Sequence, residues 1–407
     1  MELKIPQYVK STLKTLNDAG YEAYVVGGAV RDLLLEEKPN DYDITTNALP
    51  EQIEELFADT IPTGKEYGTI TVVWHSEDGM RSELIEVTTY RKDSNYSDGR
   101  RPDKVEFGQS LEDDLLRRDF TINALAYNPE EGVIDYFRGR DDLSARKVRC
   151  IGCADNRFKE DALRMLRALR FAYKYYFDIE ENTSKAINDN YKNITKCVSK
   201  ERIHDELIKL LKYANINVGR DVYRNIFEEI LDIKLPKFLN LFDNVLHSCY
   251  DWKFKLAKIF RLVNMKKEDV ELKLRDLKFS TDDRNIISHY FAIDKYLENN
   301  IDFDSNPDVV TRTMRYLYEP YYDYYVKELD IYDPIREAFE RNKDLPYRVS
   351  DLVITGDDVI AKGFKGEDVG KLLNICTRLV ISQPSLNRKE TLELFLTQEV
   401  LEGGAIV

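Results

Sequence analysis

The hydrophobic pattern of this 407-residue chain changes once, close to residue 150, and that change limits the folds it can adopt. The first part contains short apolar runs such as YVV and TITVVWH, which predict β-strands between short helices. From about Asn156 onward, apolar residues recur three and four positions apart, which predicts helices. We therefore predict an α+β fold, with a mixed-sheet head followed by an elongated all-helical neck, body and tail.

The chain is too long for one ordinary domain. We predict a head over residues 1–145, a helical neck over 146–212, a helical body over 213–330 and a helical tail over 331–407. No run of about 18 apolar residues is present, and the N-terminus lacks an apolar signal core. We therefore expect a cytoplasmic protein with no membrane span.

The five cysteines lack the regular spacing of a disulfide framework. Cys150 and Cys153 form an isolated C-x-x-C pair, which supplies only half of a zinc site. The four histidines are spread singly, which argues against a histidine-based metal or acid–base centre. We therefore expect neither a structural metal nor a catalytic histidine.

The formal net charge of −14 argues against a nucleic-acid partner, whose phosphates need lysine and arginine. The charge is unevenly distributed, however. The segment from Arg157 to Lys212 contains 13 basic and 9 acidic residues. A locally basic segment within an acidic protein is able to bind a polyanion.

Two alternating carboxylates, Asp41 and Asp43, are the first candidates for chemistry. Residues two apart on a strand share a face, so both side chains project together if DYDIT is a strand. Such a pair, with substrate phosphates, suits Mg²⁺ and two-metal phosphoryl transfer. The alternative is a solvated strand edge. Glu86, on the predicted strand LIEVTTYR, could complete a metal-binding triad if the two strands are neighbours.

Two glycines, Gly27 and Gly28, follow a predicted strand and begin a predicted helix. Without Cβ atoms they allow backbone N–H groups to approach a phosphate, and Arg31 is one turn into the helix. The stretch matches neither the dinucleotide-binding G-x-G-x-x-G pattern nor a Walker A loop. The alternative is a tight strand–helix turn that needs glycine for packing alone.

Local patterns predict further elements around these motifs. TITVVWH and SELIEVTTYR predict a hairpin with its turn at Glu77–Gly79. The polar segment 92–104 predicts a mobile loop, and VIDYFRG (residues 133–139) predicts a strand. EDALRMLRALRFAYKYY (residues 160–176) predicts one amphipathic helix.

Five ordered motifs resemble those of the class II tRNA nucleotidyltransferase/poly(A) polymerase family. They are VVGGAVRDLLL…NDYDITT, RRDFTINALAYN (117–128), VIDYFRGRDDL (133–143), EDALRMLRALRFA (160–172) and ERIHDEL (201–207). ITGDDVIAKGFKGEDVGKLLN resembles the tail of its bacterial CCA-adding members. The resemblance implies a metal-dependent enzyme that extends an RNA 3′ end without a template, with tRNA bound by the tail.

The resemblance also implies roles for individual residues. Asp41 and Asp43 would bind catalytic Mg²⁺, and Glu86 is a further catalytic candidate. The implied nucleotide contacts are Gly28, Arg31 and Arg118 in the head, and Asp161, Arg164, Arg167 and Arg170 in the neck.

The neck pair Asp161 and Arg164 has a physical logic of its own. Three apart on a helix, the two share a face. Aspartate only accepts hydrogen bonds and arginine only donates. Cytosine and adenine each present an amino group beside a ring acceptor and satisfy both residues. Uracil and guanine mismatch both, at roughly 1–3 kcal/mol for each buried contact. The alternative is a solvated helix with ion pairs three and four residues apart.

Arg167 and Arg170 continue the same side of the predicted helix and suit a triphosphate. The implied function is therefore CCA-adding tRNA nucleotidyl transfer, with CTP, ATP and tRNA as substrates and no obligatory protein partner. The loop over residues 90–107 argues against a CC-adding member. An A-adding enzyme or a poly(A) polymerase remains an alternative. A further alternative is an inactive, nucleotide-sensing head joined to a helical interaction scaffold.

Overall fold

The computed structural model describes residues 2–75, 82–94, 104–107, 110–213, 220–235, 251–300, 306–329 and 333–401. Its contacts divide the chain into two compact units, Met1–Lys237 and Phe238–Val407. The predicted hairpin turn at Glu77–Gly79 lies outside the described residues.

A mixed sheet of seven strands forms the centre of the first unit, in the order β3-β4-β5-β2-β1-β8-β9. Only β2 and β5 pair in parallel, and the other neighbours are antiparallel. The strands of this unit are β1 (Ala23–Val26), β2 (Asp43–Thr46), β3 (Thr60–Gly64), β4 (Thr69–His75), β5 (Ser82–Thr89), β6 (Arg91–Ser94), β7 (Lys104–Phe107), β8 (Ala126–Asn128), β9 (Gly132–Ile134), β10 (Lys147–Val148) and β11 (Asp178–Ile179).

The position of β1 and β2 within the sheet explains their composition. All four residues of β1, AYVV, are buried, as expected for an inner strand covered on both faces. The central strand β2 pairs with β1 on one side and β5 on the other. This pairing places Asp43 level with Val26 and with Glu86. The end of β1 and the beginning of β2 therefore meet at one edge of the sheet.

Helices surround this sheet and then continue alone. Those of the first unit are α1 (Gln7–Asp18), α2 (Gly28–Leu34), α3 (Pro50–Leu56), α4 (Leu111–Leu116), α5 (Gly139–Ser144), α6 (Ala154–Glu160), α7 (Leu163–Tyr175), α8 (Glu181–Asn190), α9 (Asn193–Cys197), α10 (Lys200–Tyr213) and α11 (Arg220–Leu231). Helix α7 packs along α10 and has buried residues on nearly all its sides. The predicted α+β fold, with a mixed-sheet head followed by helices, is confirmed.

Two local predictions are wrong in part. The segment 92–104 was expected to be a loop, but its two ends belong to β6 and β7, which form an antiparallel ribbon. The polar composition of the segment does not predict this backbone pairing. The expected strand over residues 133–139 ends at Ile134. There the Asp135 carboxylate accepts hydrogen bonds from the backbone N–H groups of Phe137, Gly139 and Arg140, and this turn leads into α5.

A third prediction, a single helix over residues 160–176, is also wrong. Helix α6 ends at Glu160, Asp161 is extended with φ −150° and ψ 105°, and α7 begins at Leu163. The Asp161 carboxylate accepts a hydrogen bond from the Leu163 backbone N–H at 3.1 Å, a local contact that competes with helical geometry. Asp161 and Arg164 therefore do not share one helix face. The two residues nevertheless stay close together, because the Arg164 backbone N–H donates a hydrogen bond of 3.1 Å to the Asp161 carbonyl.

The second unit is helical throughout the part that the structure describes. Its last three helices enclose a core that includes Val359, Leu372, Val380 and Leu396. None of the described helices is long and apolar enough to cross a membrane. The helices of this unit are α12 (Trp252–Leu262), α13 (Lys267–Asp276), α14 (Thr281–Asn300), α15 (Pro307–Tyr318), α16 (Tyr321–Glu328), α17 (Pro334–Asn342), α18 (Gly356–Ala361), α19 (Glu367–Ser382) and α20 (Lys389–Leu401).

Candidate active site

A cleft of about 680 Å³ lies within the first unit, between the edge of the sheet and helices α7 and α10. Every candidate nucleotide contact lines it, together with both candidate metal ligands. Eight basic and five acidic side chains line it, so the cleft is locally positive in an acidic protein. The lining residues are Gly27, Gly28, Arg31, Asp32, Asn40, Asp41, Asp43, Arg117, Arg118, Asp119, Asn123, Asp161, Arg164, Arg167, Arg170, Phe171, Lys174, Lys209 and Tyr213.

Asp41 and Asp43 lie at the beginning of β2. Both are exposed, whereas Tyr42 between them is buried, so the two carboxylates project on the same side. Desolvation raises the pKa of Asp43 to about 6, the nearby Arg118 charge opposes this, and the Asp41 and Glu86 charges add to it. The raised pKa of Asp43 therefore comes mainly from desolvation, and the Asp41 and Glu86 charges each contribute less than the opposing Arg118 charge.

Glu86 lies beside this pair but is not part of the cleft lining. It is exposed on β5, directly opposite Asp43 in the register. Among the described residues, no group of three or more carboxylate, thiolate or imidazole side chains is placed to hold a metal ion. A cation bound by Asp41 and Asp43 would need further oxygens from substrate or water, which is how Mg²⁺ is commonly bound.

The glycine turn between β1 and α2 brings the backbone close to an arginine. Gly27 has φ +73°, and a Cβ atom there would lie 2.8 Å from Nη1 of Arg118. Its backbone N–H donates to the Leu125 carbonyl at 3.1 Å, and its carbonyl accepts from Arg31 N–H at 3.2 Å. The positive φ favours glycine here, and any larger residue would also displace the Arg118 guanidinium.

Arg118 is held over this turn by a carboxylate on α4. Its Nη2 donates to Asp114 at 3.3 Å, and the same carboxylate accepts two hydrogen bonds from Arg117. Burial alone would raise the pKa of Asp114, but the two arginines outweigh it, and the pKa lies below its usual range. The Arg118 Nε is buried with no hydrogen-bond partner among the described residues. A donor left over in a cleft suits an anionic ligand.

The Arg31 side chain is buried and is held by hydrogen bonds and by aromatic rings. Its guanidinium donates to Asp32 at 2.8 Å and to Asn123. It also lies over two aromatic rings of α7, 5.0 Å from the centroid of Phe171 and 4.7 Å from that of Tyr175. Arg31 therefore connects the glycine turn to α7.

Asp119 was not predicted as a site residue, yet it links the arginines of both sides of the cleft. It accepts hydrogen bonds from Arg167 Nε at 2.8 Å and from Asn123 at 2.9 Å, and Asn123 in turn holds Arg31. Burial raises the pKa of Asp119, but the Arg167 charge and these hydrogen bonds lower it to about 2. Its side chain is therefore ionised at neutral pH.

Asp161 and Arg164 both line the cleft, but each is bound to another residue. The Asp161 carboxylate accepts from Arg202 at 3.2 and 2.7 Å. Arg164 pairs with Glu160 at 2.6 Å and donates to two backbone carbonyls, those of Arg157 and Arg117. The predicted pair thus faces one space while its members are fixed by different neighbours.

Further lining residues on α7 and α10 were not predicted. Lys174 lies 4.7 Å from the Tyr175 ring centroid and 5.8 Å from that of Tyr213. Lys209 and Tyr213 come from α10, where Glu206 pairs with Arg170. The available signal was the spacing of Arg202, Glu206, Lys209 and Tyr213 at four, three and four residues, which places them on one face of a helix.

None of the cysteines that the structure describes lines this cleft. Cys150 is buried and Cys153 is exposed, and both are free. Burial raises the pKa of the Cys150 thiol to about 12, so the thiolate that would bind zinc is disfavoured.

Comparison with known proteins shows which family the chain resembles. A family model described as the poly A polymerase head domain matches residues 23–149. A second, described as a probable RNA and SrmB-binding site of polymerase A, matches residues 176–221. A CCA-adding enzyme of Lactobacillus helveticus is 35 % identical over 97 % of this chain and 98 % of its own length. One from Bacillus pumilus is 33 % identical over 95 % of both chains.

Solved structures agree as well. The crystal structure of Bacillus stearothermophilus CCA-adding enzyme in complex with CTP has a TM-score of 0.71 at 28 % identity, over 98 % of both chains. The Thermotoga maritima CCA-adding enzyme complexed with tRNA has a TM-score of 0.67 at 21 % identity and shows likeness of fold alone.

The chain belongs to the class II tRNA nucleotidyltransferase/poly(A) polymerase family, as its motifs predicted. It is therefore a nucleotidyltransferase, and enzymes of this family generally use divalent metal ions.

Proposed function

We propose that this protein is a CCA-adding tRNA nucleotidyltransferase, which adds C, C and A to the 3′ end of tRNA from CTP and ATP. The observation that carries the proposal is the cleft itself. Two exposed carboxylates face a set of arginines and the Asp161–Arg164 pair across a space large enough for a nucleotide. The similarity to CCA-adding enzymes over nearly the whole chain supports it.

Within this cleft the arginines bind the triphosphate. Arg118 keeps guanidinium donors beyond the one that binds Asp114, and Arg167 and Arg170 lie on successive turns of α7. Their carboxylate partners fix the guanidinium planes but use only some of the five N–H donors of each arginine. The binding groups are thus oriented before the nucleotide arrives, which lowers the entropy cost of positioning it.

Asp41 and Asp43 would hold Mg²⁺. Desolvation of Asp43, with smaller contributions from the Asp41 and Glu86 charges, raises its pKa and fits a site completed by a cation. Bound there, the ions would favour deprotonation of the tRNA 3′-hydroxyl and stabilise the charge on the leaving pyrophosphate. The arginines hold the triphosphate in line with the attacking oxygen. Glu86 would act from outside the cleft, by its negative charge beside Asp43.

The base is selected by Asp161 and Arg164. The Asp161 carboxylate accepts from the amino group of cytosine or adenine, and Arg164 donates to the adjacent ring nitrogen. Uracil and guanine leave both contacts mismatched, at roughly 1–3 kcal/mol each. Residues 1–145 would form the catalytic head, 146–212 the selecting neck, 213–330 the body and 331–407 a tRNA-binding tail. We expect the protein to act in the cytoplasm.

A gel of tRNA lacking CCA, incubated with Mg²⁺ and single nucleotides, tests the proposal. We expect two added residues with CTP, three with CTP and ATP together, and none with UTP or GTP. The Asp41→Ala variant should leave the tRNA unextended, and so should a chelator, with recovery on addition of Mg²⁺. No extension by the wild type with both nucleotides would refute the enzyme. Extension only of tRNA ending in CC, with ATP alone, would identify an A-adding enzyme or a poly(A) polymerase.

A further inference from the structure

Two residues on one face of α10 form ion pairs with residues that line the cleft. Arg202 and Glu206 do not line the cleft, but each pairs with a residue that does, Asp161 and Arg170 respectively. The Arg202 and Asp161 side chains are only 20 % and 15 % exposed, so this pair is largely shielded from water. Such a partly buried pair between helices holds its geometry better than a surface pair does.

The hydrogen bonds at Asp161 are unequally divided between its two oxygens. Oδ1 accepts from Arg202 Nη1 at 3.2 Å and from the Leu163 backbone N–H at 3.1 Å. Oδ2 accepts from Arg202 Nη2 at 2.7 Å. A carboxylate has about four acceptor positions, two on each oxygen. These three bonds therefore leave one free acceptor position, and it is on Oδ2.

We propose that Arg202 is a positioning residue for base selection. By occupying both oxygens of Asp161 together with the Leu163 amide, it leaves a single acceptor on Oδ2 directed at the amino group of cytosine or adenine. Arg202 does not touch the nucleotide and acts only through Asp161. This inference rests on the proposed function, because it names the group that makes the Asp161 contact selective.

Losing Arg202 should weaken selectivity more than it weakens catalysis in general. Without the two hydrogen bonds from the Arg202 guanidinium, the Asp161 carboxylate rotates about its χ angles. Water then binds at the acceptor positions that Arg202 occupied. A water held by Asp161 donates its second hydrogen to the O4 atom of uracil, which relieves one of the two mismatches that exclude UTP. The mismatch with Arg164 remains, so selectivity is reduced and not abolished. CTP at the same time loses a fixed acceptor.

The test compares single additions of CTP and UTP to tRNA lacking CCA by the wild type, Arg202→Gln and Arg202→Lys. For Arg202→Gln we expect kcat/KM for CTP to fall about tenfold to a hundredfold, the range for losing one charge-assisted hydrogen bond. The ratio of kcat/KM for CTP to that for UTP should fall about tenfold. Lysine keeps the positive charge but cannot form the two parallel hydrogen bonds of a guanidinium. The ratio of kcat/KM for CTP to that for UTP in Arg202→Lys should therefore lie between those of the wild type and Arg202→Gln.

Arg224→Gln is the matched control. Arg224 forms a partly buried ion pair with Glu228 on α11 and does not line the cleft, so the variant should keep the wild-type ratio even if it lowers the melting temperature. Equal losses for CTP and UTP in both Arg202 variants would overturn the inference and leave Arg202 with a structural role alone. Arg202→Lys decides the matter if Arg202→Gln fails to fold. Failure of the wild type to add C, C and A would instead refute the proposed function.

Discussion

The cleft has two sides that differ in how their charged residues are paired. The sheet wall consists of the glycine turn and the beginning of β2, and the helix wall consists of α7 with the acidic residues that bind its arginines. On the sheet wall, neither Asp41 nor Asp43 forms an ion pair with any residue that the structure describes. On the helix wall, each arginine of α7 has an acidic partner within the protein. Arg164 pairs with Glu160, Arg167 with Asp119 and Arg170 with Glu206.

This difference teaches how each wall is used. Unpaired carboxylates are costly to leave uncompensated, so the sheet wall is suited to cations that arrive with the substrate. Paired arginines are oriented in advance and keep spare donors for phosphate and base. Substitutions on the first wall should therefore affect chemistry without loss of stability, whereas substitutions on the second should affect both.

The largest effect is expected for Asp43→Asn on the sheet wall. Removing one of the two carboxylates proposed to bind Mg²⁺ should lower kcat for CTP addition by at least about a thousandfold. The free energy of unfolding should not fall, because Asp43 has no ion-pair partner among the described residues to lose. Single-turnover addition and thermal melting measure the two quantities. Asp18→Asn, in an exposed pair with Lys14, should change neither. More than a tenth of the wild-type activity in Asp43→Asn would contradict the metal assignment.

Asp119→Asn tests the helix wall. The buried carboxylate orients Arg167 directly and Arg31 through Asn123, so its loss should raise KM for CTP about tenfold to a hundredfold. The free energy of unfolding should also fall, by about 3 kcal/mol. Asp142→Asn removes another buried partner of an arginine, Arg149, outside the cleft.

The control variant Asp142→Asn should have a lower free energy of unfolding and an unchanged KM for CTP. The two variants are compared by urea unfolding and by steady-state kinetics. An unchanged KM in Asp119→Asn would show that the arginines are not oriented by this carboxylate.

A smaller effect is expected for Gly27→Ala at the junction of the two walls. The added Cβ would contact Arg118 at 2.8 Å, and φ +73° is unfavourable for alanine. We expect about tenfold lower kcat/KM for CTP and a loss of about 1–3 kcal/mol in the free energy of unfolding. Gly132→Ala has the same type of strain at φ +82° with nothing within 4 Å, so it should lose stability alone. Equal kinetics in the two variants would mean that the contact with Arg118 is unimportant.

The smallest effect concerns pH. Since the pKa of Asp43 is raised to about 6, protons compete with the metal ion below that pH. The Mg²⁺ concentration for half-maximal activity should be constant above about pH 7 and rise up to about tenfold per unit below pH 6. In the absence of metal, the protonated carboxylate should favour the folded state increasingly as pH falls from about 6 towards its ordinary value of 3.8. A half-maximal Mg²⁺ concentration independent of pH down to 5 would contradict the raised pKa.

Much of the sheet wall could be predicted from the sequence because it comes from one continuous stretch. Gly27, Gly28, Arg31, Asp41 and Asp43 lie within 17 residues, and period-2 alternation of side chains is a local property. For the helix wall, the sequence indicated the candidate residues but not how the backbone arranges them. Asp161 was expected within a helix, but its backbone is extended, and its carboxylate binds Arg202, which is 41 residues away.

Asp119, Asn123, Lys209 and Tyr213 were missed for the same reason. Each lines the cleft only because distant segments meet. The spacing along α10 places Lys209 and Tyr213 on one helix face, but it does not indicate that this face meets the cleft. The strands β6 and β7 were missed because cross-strand pairing, not composition, makes them strands.

The sequence alone determined the mixed-sheet head, the helical remainder, the family and the candidates for metal binding and base selection. These follow from periodicity and from motifs that are continuous along the chain. Only the tertiary structure decided which acceptor of Asp161 is free, which carboxylate holds each arginine and why Gly27 must be glycine. Those depend on contacts between residues far apart in the chain, where hydrogen-bond geometry and burial, not residue type, set what each group can do.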